Sequence, residues 1–158
     1  RKYVIVSVIF ILIALDRFSK IYIGAALYKD EYIPLYGQYI WIQLSYNTWI
    51  AFSLPIEWIL LKCITLLILL GIIFFYIKDE YQKSSRILDT GYAFILAWAI
   101  SHAYERIFIW HVVDFIAVKY FAILNFADIF ISVGAFFLVI AYGINKRTSG
   151  RTSNWLGS

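Results

Sequence analysis

The sequence predicts an all-α membrane protein of four transmembrane helices with a small β-structured segment outside the bilayer. Three observations predict it. Of 158 residues, 63% are hydrophobic and 15% charged, with mean hydropathy +0.77, against about 45–50% apolar and about 25% charged in an ordinary soluble domain. Four apolar stretches each reach about 20 residues, the length a helix needs to cross a hydrocarbon core of about 30 Å. The cationic side chains divide unevenly: Arg1, Lys2, Lys78, Lys83, Arg86, Lys146, Arg147 and Arg151 fall on one side of such a bundle, and the loops of the other side hold only Lys29 and Lys119.

The elements follow in order. The first span, Tyr3–Leu27, opens as Val, Ile, Leu and Phe and then admits Asp16, Arg17 and Lys20. Residues 28–56 are long for a connection, aromatic and broken by Pro34, Gly37 and Pro55; within them YGQYIWIQLSY alternates polar with apolar residues, which reads as a hairpin or small sheet. The second span, Trp58–Ile77, is cleanly apolar, and Lys78–Arg86 is a short charged link. The third, Ile87–Arg106, turns polar at its end with Ser101, His102, Glu105 and Arg106. Residues 107–124 are aromatic and apolar enough to lie in the membrane interface. The fourth span, Asn125–Ile144, carries Asp128 in its first turn. One domain covers residues 1–147, and the Ser-, Thr- and Gly-rich residues 148–158 read as a flexible tail. The positive-inside rule places both termini and the second-to-third link in the cytoplasm and the sheet-like segment outside.

Several function classes are excluded or disfavoured. A single cysteine, Cys63, forms no intramolecular disulfide and no cysteine metal cage; in its apolar run it reads as a buried thiol. His102 and His111 are nine residues apart, not the i, i+4 pair of a helical zinc site, so no metal is expected. The net charge of +4 is not gathered on one soluble face, which argues against nucleic acid. No internal repeat supports an inverted-repeat transporter.

Ionisable groups in apolar spans are costly unless paired, so each is a functional candidate. Asp16, Arg17, Lys20, Glu105, Arg106, Asp114 and Asp128 all fall near one depth, the outer interface. Arg17 and Lys62 read best as interface anchors and ion pairs, snorkelling to water. Asp114 and Asp128 do not, because HVVDFIAV and LNFADIFI give them apolar settings without an adjacent base. If two such carboxylates converge, repulsion keeps a proton on one of them; the other can then act as base on a water while its protonated partner polarises a carbonyl.

The ordered motifs resemble those of signal peptidase II, the bacterial lipoprotein signal peptidase family, over nearly the whole chain. Asp16-Arg17-Phe18-Ser19-Lys20 is similar to its D-x-x-x-K, Asn47-Thr48-Trp49-Ile50-Ala51-Phe52-Ser53 to N-x-G-x-A-F-S, and Ser101-His102-Ala103-Tyr104-Glu105-Arg106 to G-N-x-x-D-R. Val112-Val113-Asp114-Phe115 matches V-x-D-F, and Asn125-Phe126-Ala127-Asp128 matches F-N-x-A-D with Leu124 in place of the phenylalanine. The resemblance implies that Asp114 and Asp128 are a catalytic aspartate pair, and that Asp16, Lys20, Asn47, Glu105, Arg106 and Asn125 shape or support the site. It implies removal of the signal peptide from a diacylglyceryl-modified prolipoprotein, just before the lipidated cysteine, with no metal or cofactor. The setting implied is the bacterial cytoplasmic (inner) membrane, with a monomeric enzyme, membrane lipid as its surroundings and the active site at the outer face. Residues 28–56 would be the family's outer β-cradle, and residues 107–124 would include its interfacial helix. Departures are Trp49, Trp98 and Trp110 at glycine positions, His102 for asparagine and Glu105 for aspartate. Trp98 is expected to push a neighbouring helix away or fill a gap beside it. Glu105 moves a charge by one methylene and is expected to bear on an Arg106 pair. The alternatives are a catalytically impaired relative that binds lipopeptide or a partner, and a small transporter lined by Asp16, Lys20, Glu105 and Asp128.

Overall fold

The computed structural model describes residues 2–28, 31–48, 58–83 and 85–153. Four helices carry the molecule: α1 (Lys2–Ala26), α2 (Trp58–Phe75), α3 (Arg86–Tyr104) and α4 (Phe126–Ser153). Single π-helical turns prolong α2 (Tyr76–Glu80) and α3 (Glu105–Ile109). Among the described residues, two stretches are long and apolar enough to cross a membrane, Ile59–Lys78 at mean hydropathy 2.6 and Phe126–Gly143 at 2.0. In α1 and α3 the apolar runs are interrupted by Asp16, Arg17 and Lys20 and by Asp89, Ser101 and His102.

Those interruptions point inward. Asp16 and Lys20 are the buried residues of α1, while Val4, Phe10 and Ile21 stand exposed on its outer surface. Polar inside and apolar outside is the arrangement a bilayer selects, since lipid tails solvate Phe and Ile while a buried charge needs a partner. Cys63 follows the same logic and corrects the expectation of a buried thiol: it is exposed on α2, the helix with the most apolar surface to offer lipid.

Helix α3 packs against the other three. Ser85 caps its start, accepting from Leu88 N. At this end Tyr76 donates to Asp89 Oδ1 at 2.7 Å, and Tyr76, Tyr92 and Leu96 gather Ile5, Ile9, Ile72 and Leu138 around them. The contact of α3 with α4 is closest at two glycines. A Cβ on Gly134 would lie 2.8 Å from Gly91 O and 2.7 Å from Ile95 Cγ1. Small residues admit this approach where there is no water for apolar surfaces to escape. Two turns further along α3, Trp98 is half-buried against the cluster of Ala97, Ala127 and Phe130. It fills space beside α4 while the two helices still meet at the glycines.

A four-stranded antiparallel sheet, β1-β2-β3-β4, sits at the other end. The expected hairpin is present as β1 (Tyr32–Tyr36) and β2 (Ile40–Asn47), turning at Gly37, whose φ of 49° suits glycine. Residues 107–124 correct the expectation of an interfacial helix. After the π turn they form β3 (Val112–Val118) and β4 (Ala122–Leu124), and β3 pairs with β2. The β-branched, alternating run VVDFIAV half-buries both faces of a strand more readily than it forms a helix. Helix α4 continues to Ser153, past Arg147 where the tail was expected to begin, because no proline interrupts its ladder. Residues 49–53 of the second motif lie outside the described residues.

Candidate active site

Spacing of four places Asp16 and Lys20 on one face of α1, directed at α3. Lys20 Nζ lies 2.8 Å from Asp16 Oδ2 and 2.6 Å from Glu105 Oε2, and Arg17 Nη1 donates to Glu105 Oε1 at 3.0 Å. The four charges sum to zero, which is how such a cluster tolerates burial; removing one partner of a buried pair costs about 3–5 kcal/mol. Arg17, read from sequence as an interface anchor and ion pair, makes its pair with Glu105 and also stacks on Tyr104 at 4.9 Å. Lys62 lies 4.4 Å from the Trp110 ring centroid. Glu105 is bonded to Arg17 and Lys20, while Arg106 lies within electrostatic reach of Glu105, Asp114 and Asp128.

The ion cluster reaches into two further elements. Val113 N points at Glu105 Oε1 across 3.4 Å, one residue before Asp114 on β3. Ala127 N donates to Asp16 Oδ1 at 3.1 Å, so a carboxylate from α1 caps a free amide in the first turn of α4. Ser101 donates to the other Asp16 oxygen. Asp16 is fully buried, and both of its oxygens are engaged by donors.

In front of this cluster stand the two aspartates. Register places Ser45 opposite Asp114, so Asn47 is its diagonal neighbour on the same face; its Nδ2 donates to Asp114 Oδ2 at 3.1 Å. Asn125 Nδ2 donates to Asp114 Oδ1 at 2.6 Å. Asn125 also begins α4 in a reciprocal cap, its Oδ1 accepting from Asp128 N and its own N donating to Asp128 Oδ2, both at 3.1 Å. This is the capping box with aspartate at the third helical position. One buried residue therefore holds both carboxylates. Burial pushes the Asp114 carboxyl up to about 6; the Asn47 and Asn125 bonds oppose that rise and the nearby Asp128 charge adds to it.

His102, in the last turn of α3, lies with Nε2 3.4 Å from Asp128 Oδ1 and Nδ1 3.2 Å from Trp98 O. It and Ser101 stand in the third motif, yet neither was singled out as a site residue from sequence. Among the described residues no group of three or more His, Cys, Asp or Glu side chains is placed to hold a metal ion.

Residues 8–144 match the family described as Signal peptidase (SPase) II. The chain belongs to the signal peptidase II family. Among its relatives, the lipoprotein signal peptidase of Clostridium novyi (strain NT) is 34% identical over 81% of this chain and 89% of its own length. That of Shouchella clausii (strain KSM-K16) is 31% identical over 89% of this chain and 95% of its own. The fold is shared with a bacterial membrane enzyme structure solved by the in meso method, at TM-score 0.79 and 23% identity, covering 93% of this chain and 90% of that one. A second such structure gives TM-score 0.78 at 21% identity, covering 88% and 92%. Membership of signal peptidase II makes the chain a membrane peptidase.

Proposed function

We propose that this chain is an aspartyl endopeptidase that removes the signal peptide from diacylglyceryl-modified prolipoproteins, just before the lipidated cysteine. The observation that carries the reading is Asn125, which holds Asp114 through its side chain and Asp128 through its backbone and cap. The curated relatives are named lipoprotein signal peptidases, and that name supplies the substrate class.

Asp114 is assigned as the base. Both of its oxygens accept amide N–H bonds, which suits the ionised form. It takes a proton from a water whose oxygen attacks the scissile carbonyl, and Asp128 donates its proton towards the carbonyl oxygen. As the tetrahedral gem-diol intermediate collapses, the C–N bond breaks, Asp114 returns its proton to the leaving amine of the lipidated cysteine, and a gem-diol hydroxyl gives its proton back to Asp128 as the new carboxyl forms. Asp16, Lys20, Glu105 and Arg106 support the site: the first three tie α1, α3, β3 and the start of α4 together behind the aspartates, and Arg106 contributes positive charge beside them.

The same reading assigns four spans, both termini in the cytoplasm, the aspartates at the outer surface and a monomeric enzyme. Lys2 over Tyr81 and Lys83 over Tyr142 support it, because they place two basic residues, from the start of α1 and from the α2–α3 link, at the end opposite Asp114. Purified enzyme should cleave a diacylglyceryl-modified precursor, and Asp114→Asn and Asp128→Asn should each reduce turnover by at least about 100-fold. Turnover retained in both variants would defeat the aspartyl assignment. Binding of the lipopeptide without cleavage by the unmutated chain would indicate the catalytically impaired alternative.

A further inference from the structure

We propose that His102 is a positioning residue that keeps one proton on the Asp128 side of the aspartate pair, so that Asp114 is the member left ionised. The inference rests on the assignment of Asp114 and Asp128 as the catalytic pair. It begins with a carbonyl. Trp98 O can only accept, so the ring nitrogen 3.2 Å from it, Nδ1, carries the hydrogen. In the neutral imidazole that leaves Nε2 as a bare lone pair, and it faces Asp128 Oδ1 at 3.4 Å. A lone pair and a carboxylate oxygen repel at that separation unless a proton lies between them. The proton sits on Oδ1 or on Nε2; in either place the pair holds one more proton than a neutral imidazole beside an ionised carboxylate. Asp128 Oδ2 is occupied in accepting Asn125 N, which directs that proton to Oδ1.

The two aspartates are therefore distinguished by their partners. Asp114 accepts from two amide N–H donors, whereas Asp128 meets a nitrogen able to take or give a proton. The charged groups that act on the ring are Asp128 on α4 and Asp16 and Lys20 on α1; Arg106 on the π turn and Asp114 on β3 lie within electrostatic reach of Asp128. Lys20 is itself engaged by Asp16 and Glu105, so it does not supply the missing proton. Asparagine, the residue of the family pattern at this position, can bond Asp128 but holds no proton of its own at neutral pH. His102 gives this chain an imidazole, able to take or give a proton, in that place.

Two measurements on the full chain in detergent test it. In the first, kcat/KM for a diacylglyceryl-modified precursor is followed against pH in the unmutated enzyme and in His102→Asn. The expected result is an alkaline limb that moves down by about one pH unit in the variant, because Asp128 alone must then retain the proton; an unmoved limb overturns the inference. In the second, nitrogen NMR of histidine-labelled enzyme reads the ring directly, with His111→Asn identifying the other signal set. The expected neutral ring carries its hydrogen on Nδ1, and the titration of Nε2 moves in Asp128→Asn. A neutral ring protonated on Nε2, or a titration indifferent to Asp128→Asn, overturns it. Turnover surviving in both aspartate variants would instead defeat the catalytic-pair assignment, and the NMR arm would still decide the shared proton.

Discussion

Residue by residue, the chemistry is decided by what each carboxylate touches. Asp114 is buried by its strand and held near 6, above the ordinary carboxylate range. A base works ionised, so kcat/KM should fall about tenfold per pH unit below the Asp114 pKa, which lies at or below about 6 because a proton on Asp128 removes the charge that helps to raise it. A pH–rate profile flat down to pH 5 would show that Asp114 is not the base. Trp110 offers a second prediction, because its φ of 76° is a left-handed conformation. That costs a non-glycine residue about 1–2 kcal/mol, partly offset here by the Lys62 stack at about 0.5–1 kcal/mol. Trp110→Gly exchanges relief of strain for the lost stack and a looser unfolded chain, and should leave stability within about 1 kcal/mol. Trp110→Val keeps the strain, adds β-branching and loses the stack, so its Tm should fall clearly below both; equal Tm values for the two variants would count against the strain argument. The motifs made Asp16, Lys20, Asn47, Asp114, Asn125 and Asp128 legible in the sequence. Arg17 was read as an interface anchor and ion pair, but its partner was not legible, because Glu105 is 88 residues away on another helix and nothing in the local run DRFSK announces that meeting.

At the scale of elements, the start of α4 and its crossing with α3 carry the most weight. Asn125→Ala removes the cap and a buried donor to Asp114 together. A lost cap costs about 1–2 kcal/mol, so thermal unfolding should shift measurably. Turnover should fall by more than the stability change alone would suggest, since both aspartates lose a tether; a stable variant with full turnover would refute the role given to Asn125. At the crossing, Gly134→Leu would drive carbon into Ile95 and Gly91 O, costing about 1–3 kcal/mol. Gly71→Ala meets nothing within 4 Å and should be neutral or stabilising, so the pair of Tm values checks the packing account. Sequence periodicity located four helices and the first hairpin well. It missed β3 and β4 because an apolar, aromatic strand at a membrane surface has the same composition as an interfacial helix, and only pairing with β2 separates them.

For the whole molecule, the inside-out distribution of polarity has an orientation built into it. In a Cys63→Ser background, Tyr120→Cys on the fully exposed β3–β4 turn should react with a membrane-impermeant thiol reagent added outside cells. Lys83→Cys, in the α2–α3 link, should react only after the membrane is opened. The opposite pattern would invert the proposed topology.

The bond from Ala127 N to Asp16 Oδ1 joins residues 111 apart. Asn125, Asp128 and the amide that satisfies Asp16 all lie within residues 125–128, at the entry to α4. Under the proposed assignment, a chain cut before Asn125 would hold Asp16, Lys20 and Asp114 without the short segment that completes the site.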